Sequence, residues 1–192
     1  MTGCGWEPQA YPGVPLHCHN ASVGAGAYAV AADRVEASRL LTAPLDAAAG
    51  GGSLLASTVL AGALHDLGKA SPHYRGRGSY YGHELAGAAV IYNASRIARA
   101  RGDRALQTRL LLAAWAVARH HAAMRDRHPS SPSESLVREA SRALEALARE
   151  PECLPEALPG PLRGSGLESL LLESLEDLRG RAGRLLWGSI LA

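Results

Sequence analysis

The feature that most constrains the fold is a segment that is apolar on nearly every side. Residues 54–66 carry no charged side chain before Asp66 at the end. A helix that is hydrophobic all round is usually buried inside a protein rather than laid on its surface. We therefore predict that this segment is a helix at the centre of the molecule, capped by Ser53 and ended by a left-handed residue at Gly68.

The composition favours an all-α protein. Hydrophobic residues make up 47% of the 192-residue chain, chiefly alanine and leucine, and there is no phenylalanine. Alanine and leucine are strong helix formers, and long β-branched runs are absent. A chain of this length can bury a substantial core. We predict an all-α, single-domain helical bundle over residues 1–192, with about six to seven helices.

Hydrophobic periodicity and turn residues divide this domain into three regions. Residues 1–16 show no periodicity and are predicted to be an irregular N-terminal arm. Residues 17–125 form the core that carries the histidine motifs, and residues 133–192 form the C-terminal helices. The predicted helices span residues 16–41, 54–66, 83–101, 104–124, 133–149 and 167–191.

Cysteine usage and hydropathy bear on the compartment. Cys4, Cys18 and Cys153 are odd in number and include no Cys-x-x-Cys pair. We therefore do not expect a disulfide framework or a structural zinc knuckle. The first 18 residues lack the apolar core of a signal peptide, and the longest apolar run, residues 110–118, is too short to cross a membrane. A cytoplasmic location without membrane contact is expected.

Most of the histidines lie at or near the ends of predicted helices. In an antiparallel bundle, helix ends can converge, and imidazole with carboxylate is a ligand set for Mn, Fe, Co, Ni or Zn. The Asp66 carboxylate can bridge two ions about 3.5–4 Å apart while the adjacent His65 holds one of them. For any single histidine, the alternative is an ordinary surface or hydrogen-bonded side chain. Six of the eight histidines lie at or near predicted helix ends: His19, His65, His83, His120 and His121, with His17 close to His19.

The order of these residues resembles a known family. A histidine is followed by His-Asp-Leu-Gly-Lys at residues 65–69, then by a lone histidine and by a His-His pair. This order resembles the HD-domain metal-dependent phosphohydrolases. Within them it is most similar to the stand-alone HD nuclease subunit of type I CRISPR interference, the partner of a separate helicase. The resemblance covers about residues 15–125, and Tyr74 and Gly82-His83-Glu84 belong to its most specific part.

The resemblance implies a helical bundle of the HD type and a set of functional residues. It implies two divalent ions, drawn from Mn, Ni, Co, Fe, Zn or Mg. Asp66 would bridge them and, with Lys69 directed at the scissile phosphate, would be catalytic. His17 competes with His19 for the role of first ligand. The implied metal ligands are His19, His65 and Asp66 for the first ion, and Asp66, His83, His120 and His121 for the second.

The sequence departs from the family at the last expected ligand. The family closes its first metal site with an aspartate on the last core helix, after an apolar run. Here the apolar run at residues 185–192 has no such aspartate, and Asp177 precedes it. Asp33 lies fourteen residues after His19 on one predicted helix, about 21 Å along its axis, so the two cannot reach one ion unless that helix breaks. We therefore predict an incomplete first site.

The resemblance implies a metal-dependent nuclease that cleaves single-stranded DNA with a metal-activated water, in CRISPR antiviral defence. Its implied partners are single-stranded DNA, a helicase subunit and a CRISPR effector complex. Arg75 and Arg77, in a loop after the metal motif, are the best candidates for binding the strand. Two alternatives stay open: a phosphohydrolase acting on small nucleotides, and a non-catalytic scaffold that lacks a complete first metal site.

Overall fold

The computed structural model describes residues 4–37, 43, 47, 53–121 and 133–180 of the chain. The predicted all-α bundle is confirmed, with one addition. An antiparallel hairpin, β1 (Gln9–Tyr11) and β2 (Val14–Pro15), lies within the N-terminal arm that was predicted to be irregular. Most of the described residues belong to six α-helices: α1 (Leu16–Ala37), α2 (Ser53–Leu64), α3 (His83–Ala100), α4 (Arg104–Arg119), α5 (Glu134–Arg149) and α6 (Gly166–Gly180).

The centre of the bundle is α3. This helix packs against α4, α5 and α6, and every residue from His83 to Ile91 is buried. Its alanines, such as Ala86 and Ala89, let the neighbouring helices approach closely on several sides. The prediction that residues 54–66 form the buried centre is therefore wrong.

Helix α2 instead lies at the side of the bundle, against α1 and α4. Most of its side chains from Leu54 to Ala61 are only partly buried, although Leu64 at its end is fully enclosed. The apolar character of a segment shows which of its side chains could be buried. Whether they are buried depends on how many neighbouring helices surround the segment.

Most helix starts agree with the sequence pattern. Helices α3 and α4 begin at His83 and Arg104, and Ser133 caps α5 by accepting a hydrogen bond from the Leu136 N–H. The predicted ends of the first, fourth and last helices lie outside the described residues. None of the helices in the described part of the chain is long and apolar enough to span a membrane.

Gly68 has a different role from the one predicted. Helix α2 ends at Leu64, and residues 67–70 form a 3-10 turn in which Gly68 does not adopt a positive φ. This turn lies directly on the first turn of α3. A Cβ at Gly68 would lie 2.1 Å from the carbonyl oxygen of His83, so only glycine allows the two backbones to approach this closely.

The C-terminal part of the molecule is tied to its beginning. The proline-rich segment after α5 forms three short 3-10 turns, and the Asn20 side-chain amide donates to the Ala157 carbonyl in this segment. Cys4 forms a disulfide with Cys153. No disulfide framework was expected, and this single disulfide was not foreseen, because an odd cysteine count excludes only complete pairing. Cys18 is the exposed free cysteine.

The packing at Gly68 predicts a stability effect. Gly68→Ala is expected to lower the free energy of unfolding by about 3 kcal/mol or more, the upper end of the cost of overpacking a close-packed interior. Gly78→Ala is the matched control, because a Cβ there meets nothing within 4 Å. Urea unfolding of both variants measures the difference. Equal stability of the two would contradict the close approach of the turn and α3.

The disulfide also predicts a stability effect. Under oxidising conditions, Cys4→Ser is expected to lower the free energy of unfolding by about 2–4 kcal/mol, because the unfolded chain loses a cross-link. That cross-link joins residues 149 positions apart. Cys18→Ser should leave the stability unchanged. A wild-type melting temperature that does not respond to a reducing agent would argue against the Cys4–Cys153 bond.

Candidate metal centre

Four helix ends bring the predicted ligands together. His19 comes from the first turn of α1, and His65 and Asp66 form the turn after α2. His83 is the first residue of α3, while His120 and His121 directly follow α4. The side chains form two groups that share Asp66, and within each group the ligand atoms lie within 4.8 Å of one another. The groups are His19, His65 and Asp66, and Asp66, His83, His120 and His121.

The two oxygens of Asp66 face different groups. Oδ1 lies 2.9 Å from Nε2 of His83 and 3.7 Å from Nε2 of His120. Oδ2 lies 3.3 Å from Nε2 of His65 and 3.4 Å from Nε2 of His19. A carboxylate that presents one oxygen to each group has the arrangement needed to bridge two cations.

Backbone carbonyls fix the orientation of three imidazoles. Nδ1 of His65 donates to the Gly62 carbonyl at 2.8 Å, and Nδ1 of His83 donates to Tyr80 at 2.6 Å. Nδ1 of His120 donates to the Val117 carbonyl at 2.7 Å. In each case the acceptor is three residues earlier in the chain. Since Nδ1 is engaged with a carbonyl in each ring, Nε2 is the nitrogen that points into the site, as in histidines that bind metals.

The inward-facing nitrogens lie close to one another and to the carboxylate. Nε2 of His83 lies 2.9 Å from Asp66 Oδ1 and 3.2 Å from Nε2 of His121. Nε2 of His19 and His65 are 3.1 Å apart. The buried Nε2 of His120 has no hydrogen-bond partner in the described part of the chain. Imidazole nitrogens that converge on one carboxylate form a donor set that fits a metal. The His/Asp cluster can hold a metal ion.

The protonation states suit metal binding. Burial alone would raise the pKa of Asp66, but His120, His65 and His83 face the carboxylate and hold its pKa far below the usual range. At 3.7 Å the His120 contact is too long for a hydrogen bond, so its influence on Asp66 is electrostatic. Burial, with the nearby imidazoles of His120 and His83, lowers the pKa of His121 to about 4. At neutral pH, Asp66 is therefore ionised and His121 is uncharged.

Lys69 lies at the edge of the site, where it pairs with Asp66. Its Nζ lies 2.7 Å from Asp66 Oδ2 and donates to the Ala10 carbonyl at 3.1 Å. The ammonium also lies 5.0 Å from the centre of the Tyr80 ring. Lys69 thus compensates the charge of Asp66, and its expected contact with a phosphate stays a prediction.

Other acidic and histidine candidates lie apart from the two groups. Of the two predicted alternatives, His19 belongs to the first group and His17 to neither group. Asp33 is exposed on α1, and Asp177 on α6 accepts a hydrogen bond from the Asn93 side chain. The apolar run at residues 185–192 lies outside the described residues, and the incomplete first site stays a prediction.

The two arginines expected to bind nucleic acid have partners within the chain. The Arg75 guanidinium donates to the Gly5 carbonyl, which fastens the N-terminal arm. The Arg77 guanidinium lies 3.6 Å from a Glu139 carboxylate oxygen and 3.2 Å from Nε2 of His73. Both side chains are exposed, but the charge of Arg77 is partly compensated.

Sequence reasoning assigned no role to several residues that shape the site. Glu84 is a buried carboxylate whose Oε2 lies 3.4 Å from Nδ1 of His83. In the sequence it was noted only as part of the stretch Gly82-His83-Glu84. Tyr80 contributes both a carbonyl and a ring, and Ala10 contributes a carbonyl from the arm. Contacts of backbone atoms carry no residue-type signature, so a sequence pattern does not reveal them.

Comparisons of the chain with protein-family models, with curated proteins and with solved structures find no match. The likeness to the HD-domain family therefore rests on the residues described above.

The site predicts how metals stabilise the protein. A hundredfold excess of Mn²⁺ over its Kd is expected to raise the free energy of unfolding by about 2.7 kcal/mol. His120→Ala should lose most of this gain, because it removes an imidazole with a free, buried Nε2. His17→Ala should retain it. Thermal unfolding with and without a chelator measures the effect.

Calorimetric titration of the same proteins counts the ions. An incomplete first site should give one tightly bound ion per chain and a second that binds more weakly. Tight binding of two equivalent ions would contradict the incomplete first site. Equal behaviour of His120→Ala and the wild type would contradict the ligand assignment itself.

Proposed function

We propose that the chain is a metal-dependent nuclease of the HD-domain type that hydrolyses single-stranded DNA. In this proposal it acts in CRISPR antiviral defence, together with a helicase subunit and an effector complex. The observation that supports it most is the Asp66 carboxylate between two groups of inward-facing imidazoles. That arrangement is the one a two-metal hydrolase requires.

The proposed chemistry follows from what each residue holds. Divalent ions bound here would activate water for attack on phosphorus and neutralise charge that develops on the phosphate oxygens. Asp66 would be the ligand shared by the two ions, and the histidines of the two groups would hold them. Lys69, whose Nζ lies 2.7 Å from Asp66 Oδ2, would direct its ammonium at a phosphate oxygen of the substrate. Asp66 and Lys69 are therefore the proposed catalytic residues.

The ligand types narrow the choice of metal in this proposal. Five imidazole nitrogens and one carboxylate make a nitrogen-rich donor set. Mg²⁺ prefers oxygen ligands, whereas imidazole suits Mn, Fe, Co, Ni and Zn. We propose two transition-metal ions rather than Mg²⁺.

The alternative with a small nucleotide as substrate needs a pocket that places a phosphate on the metal ligands. A groove of about 620 Å³ in the described part of the chain is lined by Tyr74, Arg77, Gly78, Ser79, Tyr81 and Glu139. None of these residues is a predicted metal ligand, so this groove does not serve as that pocket.

The proposed cytoplasmic location must accommodate the Cys4–Cys153 disulfide. Disulfides are rare in the cytosol of organisms that grow at moderate temperature, but they are common in intracellular proteins of hyperthermophiles. The chain contains only two asparagines and two glutamines, residue types that are depleted in such proteins. In a thermostable intracellular protein, both the disulfide and the low content of asparagine and glutamine are expected.

Mutation of Asp66 tests the proposed function. Asp66→Asn is expected to reduce cleavage of labelled single-stranded DNA by at least about 100-fold. Mutation of a residue that only hydrogen-bonds a metal ligand already lowers metal affinity or activity about 10–100-fold. His17→Ala should cleave at the wild-type rate. The assay compares Mn²⁺, Co²⁺, Ni²⁺ and Mg²⁺, with a panel of small nucleotides in parallel. Cleavage by Asp66→Asn at the wild-type rate would refute the proposal, and turnover of nucleotides alone would favour the first alternative. No turnover of any substrate would favour the scaffold.

A further inference from the structure

Glu84 is a buried carboxylate beside the metal centre to which the proposed chemistry gives no role. It is the second residue of α3, directly after His83, and its side chain is only 8% exposed. Its charge partner is the His83 imidazole, and no lysine or arginine among the described residues forms an ion pair with it. A buried carboxylate is costly unless other charges compensate it. The compensation for Glu84 therefore has to be sought at the start of α3 and in the metal centre.

The start of α3 supplies part of this compensation. The N-terminus of a helix carries a partial positive charge, which favours an acidic side chain in the first turn. Glu84 is the acidic residue in the first turn of α3. This interaction is equally available to a carboxylate that points to solvent. It explains why an acid is tolerated at this position, but it does not explain why the carboxylate is buried against His83.

The two nitrogens of His83 link Glu84 to the ligands. Nε2 faces the site, 2.9 Å from Asp66 Oδ1 and 3.2 Å from Nε2 of His121. Nδ1 donates to the Tyr80 carbonyl at 2.6 Å and lies 3.4 Å from Glu84 Oε2. The longer distance exceeds the usual range for a hydrogen bond, so Glu84 acts on the ring through its charge. His83 thus has an anion beside the nitrogen that does not face the ligands.

A carboxylate beside Nδ1 distinguishes His83 from the other oriented imidazoles. Within the described ranges, the carboxylate contacts of His65 and His120 are made by Nε2, and their Nδ1 atoms donate to a backbone carbonyl. Histidines that bind metals commonly present the second nitrogen to a carboxylate or a carbonyl, and such partners increase the basicity of the ligand. His83 has both kinds of partner, and Glu84 is the one that carries a charge.

The charge of Glu84 also reaches the other two histidines of the same ligand group. For both His120 and His121, burial acts to lower the pKa of the imidazole, and Glu84 acts to raise it. Glu84 therefore favours positive charge at every histidine of this group. The other group has the opposite neighbour, because the Lys69 ammonium lies 2.7 Å from the Asp66 oxygen that faces it.

We propose that Glu84 is a positioning residue of the metal centre, and that its charge, acting through His83, strengthens the binding of one divalent cation. That cation is the one assigned to His83, His120 and His121 together with Asp66. The carboxylate makes His83 a stronger donor and offsets cationic charge that Asp66 alone does not neutralise. The cation in turn compensates the buried carboxylate. This inference rests on the metal binding that the proposed function requires, but it involves no substrate.

Calorimetric titration with Mn²⁺ tests this role. Glu84→Gln keeps the volume of the side chain and removes its charge. It is expected to weaken binding of the tighter ion about tenfold or more, within the range of about 10–100-fold for loss of an outer partner of a metal ligand. Glu84→Asp retains the charge and should stay closer to the wild type. Glu139→Gln is the matched control, because Glu139 lies 2.9 Å from Nε2 of His73, a histidine that belongs to neither ligand group.

Unfolding in a chelator separates this role from that of the helix N-terminus. Without metal, Glu84→Gln loses a favourable interaction with the start of α3 but also removes the cost of a buried charge. Its free energy of unfolding should therefore stay close to the wild-type value. With Mn²⁺ in excess over the wild-type Kd, the variant should gain less stability than the wild type. A purely structural carboxylate predicts the reverse, with lower stability in the chelator and an unchanged gain from the metal.

Proton NMR of the Co²⁺-loaded protein reports on the His83 ring directly. Co²⁺ is paramagnetic, so the Nδ1–H protons of bound histidines are shifted away from the other resonances. In Glu84→Gln, one of these resonances should move, because His83 is the ligand with a carboxylate beside Nδ1 in the described part of the chain. Glu139→Gln should leave all of them in place.

The outcomes distinguish this role from the proposed function. The role of Glu84 is overturned if Glu84→Gln binds Mn²⁺ as tightly as the wild type, or if Glu139→Gln weakens binding as much. It is also overturned if the wild type binds no metal, a result that refutes the nuclease proposal as well. If Glu84→Gln weakens metal binding as expected but the wild type cleaves nothing, the role of Glu84 stands and the nuclease proposal fails.

Discussion

The Asp66 carboxylate lies at the point where four helix ends meet. Only 2% of the surface of this residue is exposed. An ionised carboxylate removed from water is stable only when nearby groups compensate its charge. Lys69 does so at 2.7 Å from Oδ2, and the His83 imidazole lies 2.9 Å from Oδ1. These contacts draw together the ends of α2 and the start of α3. The arm joins through the Ala10 carbonyl, which accepts from Lys69.

Backbone geometry then sets the direction of the imidazoles. His65, His83 and His120 each use a carbonyl three residues earlier, a spacing that a helix or tight turn supplies without further side chains. The glycine at position 68 lets the turn with Lys69 lie against the start of α3. Local backbone contacts therefore orient three of the five imidazoles, and Asp66 links the distant segments electrostatically.

The parts of this structure that the sequence predicted are those with a local signal. The starts of α4 and α5 have capping side chains, whereas the start of α3 follows from periodicity alone. The candidate ligands were singled out because each lies at or near a helix end. The prediction of which helix lies at the centre of the bundle was wrong. The apolar content of a segment does not show how many helices surround it, and the small alanines of α3 allow more helices to pack against it. The role of Gly68, the Cys4–Cys153 pairing and the Arg77–Glu139 contact were not predictable. Each depends on a contact between segments that are distant in the chain, and no single stretch of the sequence carries a signal for such a contact.

The two oxygens of Asp66 are not equivalent, and this bears on the incomplete first site. Oδ2 already has a lysine ammonium at 2.7 Å, and it is the oxygen that faces His19 and His65. A cation entering that group must share the oxygen with Lys69 and meets the repulsion of a like charge. Oδ1 faces His83 and His120. The third histidine of that group, His121, has its pKa lowered to about 4 and is uncharged at neutral pH. The electrostatics thus favour a cation beside His83, His120 and His121.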